Sequence, residues 1–348
     1  MADYFDITKW VEKPWFQTGG TRSKMIVENP VDHADYYFKT SLKKINKDYK
    51  YEFWSEIIAS EVGQSLGFNV LKYDIAYNGK ELGCISKSMV KPGENKLTEG
   101  ISYLTGYDTT YQPANKKNSK TQYTFQFIVD ALKSFKLERF VENIIELIVF
   151  DSLIGNSDRH QENWGILTEY NEVIKLLEEL PKNKKRSGAE QLVYSLLTMT
   201  SKLKKKDINQ VLKEIELTNS SGVFAPIYDS GSSLGREKED EKITQILKDN
   251  IMMEAFIRRG ESEIHWEGEK LNHFELIKKI NNQYPKIVNK IIKQVEDKYN
   301  FEHIRQIVLK IDDNVPQNIT MNKLSQERKE FIIKIISLRF EKLKEILR

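Results

Sequence analysis

The chain has a single cysteine, Cys84, in 348 residues. One thiol can form neither an intrachain disulfide nor a cysteine-built metal site, and this favours a reducing compartment. No apolar run reaches the roughly 18 residues that a membrane helix needs, so neither a span nor a membrane partner is expected. The opening residues MADYFDITKW carry no basic n-region and no apolar h-region. No secretory signal is visible, and a cytoplasmic location is expected. The formal net charge is only +3, too close to neutral to imply nucleic-acid binding by itself. The basic runs KNKKR and KLKKK carry no recognition motif, so direct nucleic-acid binding is not expected. No repeat of 20–50 residues is evident.

What is present suits a folded, two-part chain. Hydrophobic residues make up 39% and charged residues 30%, and sixteen Tyr, sixteen Phe and five Trp exclude a disordered chain. The length fits one large domain or two lobes sharing a cleft.

The chemistry centres on residues 151–165, DSLIGNSDRHQENWG. The segment follows an apolar helical run, residues 138–154, and Gly155-Asn156 breaks that helix, leaving Ser157–Asn163 in a loop. Asp158 and Asn163 stand five apart. In a phosphotransfer loop this D-x-x-x-x-N spacing gives a carboxylate that orients or deprotonates a hydroxyl, and an amide oxygen that reaches Mg²⁺ on ATP. Such a short match needs partners elsewhere in the chain.

Those partners occur in order. Residues 16–28, FQTGGTRSKMIVE, place Gly19-Gly20 before a polar turn and a strand at 25–27. Glycines let backbone approach phosphates closely, and Arg22 and Lys24 add positive charge, although a glycine pair is also ordinary turn punctuation. Residues 33–40 read as an aromatic strand ending at Lys39, placed to hold phosphates or to be a solvated edge lysine. Residues 51–68 read as an amphipathic helix stopped by Gly67. Of its acids, Glu56 lies beside the apolar face and is the expected partner of Lys39. Glu52 and Glu61 are expected to be solvated.

Residues 69–90 read as two strands joined by an Asn78-Gly79 turn. After Lys91-Pro92-Gly93 the chain becomes mostly helical. Residues 100–125 read as an irregular connection, followed by helices over 124–135 and 138–154 and a short strand over 164–168. A lysine-rich helical insertion spans about 170–218. The strand VFAPIYDSGSSLG then ends at Asp229, whose Asp-Ser-Gly sequence suits a metal-binding carboxylate followed by a glycine that turns the chain away. Residues 240–348 read as amphipathic helices with solvated charges.

Beside this reading, GNSDRHQENWGIL, APIYDSGSSL and GGTRSK resemble the HipA-like serine/threonine kinases of bacteria, whose best-known members are toxins of toxin–antitoxin modules. The order DRH is shared with that family and with phosphatidylinositol-kinase-like enzymes. The resemblance spans about residues 16–275. It implies an α+β, two-lobed protein-kinase-like fold. Residues 1–90 would form a small β-rich N-lobe with one helix, and residues 91–348 a large, mostly helical C-lobe.

It further implies Asp158 as the catalytic aspartate, and Asn163 and Asp229 as Mg²⁺ ligands. Lys39 would contact the α- and β-phosphates and pair with Glu56. Gly19, Gly20, Thr21, Arg22, Ser23 and Lys24 would cover the phosphates. Ser86, Lys87, Ser88 and Met89 would lie at the adenine, and His160 would contact nucleotide or brace the loop. Arg159 is expected to pin the loop by its charge.

The substrate would be a protein Ser/Thr hydroxyl, with ATP and Mg²⁺. Phosphorylation of Thr18, Thr21 or Ser23 would place about −2 charge where ATP phosphates sit and so silence the site. The glycine loop is reached by residue 19, which implies a compact, stand-alone form without the N-terminal subdomain of larger members and leaves an antitoxin-type partner open. The competing readings are a small-molecule or lipid kinase and a non-catalytic nucleotide-binding module. The absence of an amphipathic basic anchor weakens the lipid version, and the presence of Lys39, Glu56, Asp158, Asn163 and Asp229 weakens the non-catalytic one.

Overall fold

The computed structural model describes residues 1–14, 24–44, 47–113, 121–169, 222–319 and 321–347. These fall into two compact units. The first gathers residues Met1–Ser88, Glu142–His160 and Pro226–Arg348, and the second Met89–Val141 and Gln161–Ala225.

A six-stranded sheet organises the first unit. Its strands are β1 (Tyr4–Asp6), β2 (Val11–Glu12), β3 (Lys24–Glu28), β4 (Asp35–Lys39), β7 (Asp74–Tyr77) and β8 (Leu82–Lys87), and a small hairpin of β5 (Lys43–Lys44) and β6 (Lys47–Asp48) stands apart from it. The sheet order is β1-β7-β8-β4-β3-β2, antiparallel except for β1 alongside β7. One face buries Ile7, Val27, Phe38, Ala76 and Ile85, with Trp10 and Tyr36 packed against them. Alternation along β4 then sends Phe38 to that core and Lys39 to the opposite face.

Helix α1 (Glu52–Ser65) packs against β8. It is buried almost all round, not amphipathic, and Glu52, Glu56 and Glu61 are all buried. The expectation that Glu52 and Glu61 are solvated fails because distant segments meet them, Arg236 at Glu52 and the Met1 amine at Glu61, which helical spacing cannot foresee. Helix α4 (Val141–Ile154) is the buried helix that delivers the 151–160 loop.

The C-terminal region holds α5 (Asp240–Lys248), α6 (Asn250–Arg258), α7 (His273–Gln283), α8 (Pro285–Lys298), α9 (Phe301–Leu309) and α10 (Gln326–Lys344). Local chemistry divides it. Asp249 accepts hydrogen bonds from the amides of Ile251 and Met252 and so caps α6, while Pro285 opens α8.

In the second unit, β10 (Gly165–Glu169) pairs with β9 (Asn95–Glu99) on one side and β11 (Val223–Phe224) on the other, beside α2 (Gly100–Tyr107) and α3 (Phe125–Ser134). The Trp164 indole stacks between Tyr103 and Phe224 and donates to the Tyr123 hydroxyl at 3.0 Å. Two expectations are corrected here. Residues 100–107 are helical, not irregular, because Tyr103 and Leu104 are buried. The strand expected to run to Asp229 stops at Phe224, and beyond it only Ile227 makes an isolated bridge, with Val70. The expected insertion over 170–218, with both basic runs, lies outside the described residues.

Candidate active site

Strand β4 ends at Lys39, whose buried ammonium sits between two carboxylates. It lies 3.1 Å from Asp229 Oδ1 and 3.5 Å from Glu56 Oε1, and donates to the Tyr73 hydroxyl at 3.5 Å. Burial works against the lysine's charge, but Asp229 and the neighbouring groups outweigh it and hold its pKa well above the ordinary lysine value. Burial first, then Glu56, raises the Tyr73 pKa, so the phenol stays protonated. Lys24 stands directly opposite Lys39 in the β3–β4 register, which puts two lysines on one face. Like charges in such a pair repel unless an anion lies between them.

Glu56 does more than pair with Lys39. Its Oε2 accepts the Ser230 amide at 2.8 Å, so α1 also grips the segment after Asp229. Asp229 itself adopts a left-handed backbone, φ 58°, which aspartate tolerates better than most residues. Two residues on, a Cβ at Gly231 would lie 3.1 Å from both Glu52 Cγ and Glu56 Oε1. Glycine lets the loop approach the helix this closely.

The 151–160 loop is built from the end of α4. Gly155, at φ 66°, ends the helix. Asp151 accepts from Asn156 Nδ2 at 3.0 Å, and Asn156 Oδ1 accepts the Asp158 amide at 3.3 Å. Arg159, 1% exposed, folds back to make a two-pronged pair with Asp151, both contacts at 2.9 Å. It also donates to the Tyr228 carbonyl and to Ser230 Oγ, joining this loop to the Asp229 segment. Burial opposes its charge and Asp151 outweighs that, raising its pKa.

Asp158 Oδ2 accepts from Ser232 Oγ at 3.1 Å. Ser232 Oγ in turn accepts from Arg236 at 2.8 Å, and Arg236 pairs with Glu52 at 2.6 Å. The structure thus brings Lys39, Glu56 and Asp229 into direct contact and ties Asp158 to them through the 229–236 segment. His160 follows in the loop, its amide donating to the Asp158 carbonyl at 3.0 Å.

The remaining expected residues lie at the end of β8, in the second unit or outside the described residues. Ser86 and Lys87 end β8, with Ser86 buried and Lys87 paired to Asp32 at 2.8 Å. The Ser88 amide donates to the Asp35 carbonyl. Met89 belongs to the second unit, where its carbonyl accepts from Asn95. Asn163 is also in the second unit, buried just before Trp164 and β10. Gly19, Gly20, Thr21, Arg22 and Ser23 lie outside the described residues, as does Thr18. Sequence reasoning missed Tyr73, Asp151, Ser232 and Arg236. Only Asp151 left a signal: a carboxylate inside an apolar helical run needs a partner.

The first unit's site suits a divalent cation. Lys39 brings one positive charge to two carboxylates, leaving negative charge in excess. Among the described residues no three His, Cys, Asp or Glu side chains converge to hold a metal by themselves.

No protein-family model and no curated protein sequence matches the chain. Twenty solved chains do, including these two. One is the HipA, HipB and operator DNA complex of the Shewanella oneidensis toxin–antitoxin system, at TM-score 0.45 and 12% identity, over 97% of this chain and 66% of that one. The other is the Helicobacter pylori proinflammatory kinase CtkA, at TM-score 0.70 and 18% identity, over 99% of this chain and 96% of that one. The chain therefore has a mixed α+β, kinase-like fold similar to that of CtkA.

Proposed function

We propose that the chain is a HipA-like serine/threonine protein kinase that transfers the γ-phosphate of Mg-ATP to a protein hydroxyl. The carrying observation is the contact of Lys39 with both Glu56 and Asp229, with Asp158 linked to the same segment through Ser232. In this reading residues 1–90 form the nucleotide lobe and 91–348 the helical lobe. Lys39, fixed by Glu56, holds the α- and β-phosphates, and Lys24 adds charge on the same face. The backbone of Ser86–Met89 meets the adenine, and His160 braces the loop beside it.

Asp229 and Asn163 are the side chains that would hold Mg²⁺. When bound, the ion neutralises phosphate charge and keeps the transferring group in line. Asp158 accepts a hydrogen bond from the substrate serine or threonine hydroxyl, aims its oxygen at the γ-phosphate, and takes its proton as the bond to phosphorus forms. Arg159, paired with Asp151, pins the loop that carries that carboxylate. Residues 18–23 of the glycine loop offer Thr18, Thr21 and Ser23 for self-phosphorylation, which would make the activity toxin-like and self-limiting.

The test is label transfer from radiolabelled ATP with Mg²⁺ to a generic basic protein and to the chain itself. The unaltered chain is expected to transfer label, and Asp158→Ala to lose about 10²-fold or more. Nucleotide binding without transfer by the unaltered chain would sink the reading in favour of a non-catalytic module.

A further inference from the structure

Arg339, on α10, is 2% exposed and has no acidic partner among the described residues. Its guanidinium donates to the Ser152 carbonyl at 2.8 Å and the Ile257 carbonyl at 3.3 Å, while Nε has no partner. Room for it comes from Gly155 and Gly260: a Cβ at Gly155 would lie 2.9 Å from Nε, and one at Gly260 would collide with a terminal nitrogen. Burial alone pushes its pKa down to about 10. A buried guanidinium with neither carboxylate nor full hydrogen bonding is costly, and a bound anion offsets that cost.

Arg339 lines a cavity of about 570 Å³ within the first unit. This is the size of a small-ligand pocket. Ser157 and Ser232 also line it, and these are the residue before Asp158 and the hydroxyl that donates to Asp158. The cavity therefore reaches the loop that carries the proposed catalytic carboxylate. Of its two acids, Glu237 pairs with Lys238 at 3.3 Å, and Glu261 lies 3.8 Å from Lys270, which meets Glu263 more closely at 3.3 Å; the lining cations still outnumber the lining acids. The exposed Lys242 and Arg259 add cations at the wall.

From this we infer that the cavity takes an acidic or phosphorylated residue of the protein substrate, flanking the acceptor hydroxyl. The assignment rests on the protein-kinase reading above and makes the enzyme selective for anionic sequences. Guanidinium groups suit such a ligand because they bind carboxylate or phosphate through paired, charge-assisted hydrogen bonds.

The test separates binding from turnover. Fluorescent serine peptides that differ at one flanking residue (Ser, Glu or phosphoserine) are titrated against Asp158→Ala chain, which need not turn over. The anionic peptides are expected to bind about tenfold tighter than the neutral one, the worth of one charged hydrogen bond. Lys242→Ala/Arg259→Ala, at exposed positions that leave the core intact, is expected to erase the difference, as is Arg339→Met where it folds. Equal affinity for all three peptides overturns the inference, as does competition by inorganic phosphate as tight as the phosphopeptide itself. Transfer to the neutral peptide by the unaltered chain is measured in parallel. Transfer without any anion preference removes the cavity assignment alone. Anion-selective binding without transfer to any peptide removes the kinase reading and the substrate assignment with it.

Discussion

Arg159 and Arg339 are both buried in the first unit, yet their surroundings differ in kind. Arg159 has a carboxylate, a carbonyl and a hydroxyl around it, and its pKa rises. Arg339 has two carbonyls and an idle Nε, and its pKa falls to about 10. The protein completes the environment of one arginine from its own sequence and leaves the other unfinished. A finished pair holds a loop in shape, and an unfinished cation is suited to receiving something.

Three measurements bear on this contrast. The largest effect is expected at Arg159. Arg159→Met strands Asp151 as a buried charge and should lower stability in urea unfolding by about 3–5 kcal/mol. Adding Asp151→Asn should restore much of that loss. If the double variant is no better than the single, the pair is not the unit described here.

Next comes acidity at His273, which stands between the Gly260 and Asn156 carbonyls. Burial, then the nearby Arg339 charge, pushes its pKa from 6.5 down to about 3, so the folded ring is neutral and donates to one of the two carbonyls. Because the folded value lies below the unfolded one, its contribution is complete above pH 6.5 and drains away as pH falls toward 3. Stability should drop by about 1.4 kcal/mol per pH unit inside that window. His273→Gln should flatten the slope of melting temperature against pH. A rise in stability on acidification would instead mean a charged ring serving both carbonyls.

The smallest effect is expected at Arg339 itself. Arg339→Met leaves no carboxylate behind and should change neutral-pH stability by less than about 1.5 kcal/mol in either direction. A loss as large as that at Arg159 would abolish the contrast.

The contact of Lys39 with Glu56 and Asp229 was expected from the order of residue types along the sequence. The sheet strands at 24–28, 35–39, 74–77 and 82–87 were also legible, from alternation and the Asn78-Gly79 turn. What local pattern could not supply was everything set by distant partners. Strand β9 exists because β10 pairs with it, and β1 because it lies along β7. Glu52 looks like a surface acid until Arg236, far along the chain, arrives beside it. Arg328 and Arg339 belong to a helix whose charges look solvated, yet both are buried. Tyr73 left no trace, because one tyrosine leading into a strand resembles any other.

Glu52 and Glu56 are one helical turn apart on α1, on the same face. Through Glu56 the helix holds Lys39 and the Ser230 amide, and through Glu52, Arg236 and Ser232 it reaches Asp158. A single rod therefore sets the spacing between the Lys39 end, proposed to grip phosphate, and the Asp158 end, proposed to aim the hydroxyl, as the beam of a caliper sets the gap between its jaws. A small slide or rotation of that rod would shift both ends together, so neither can drift out of register on its own.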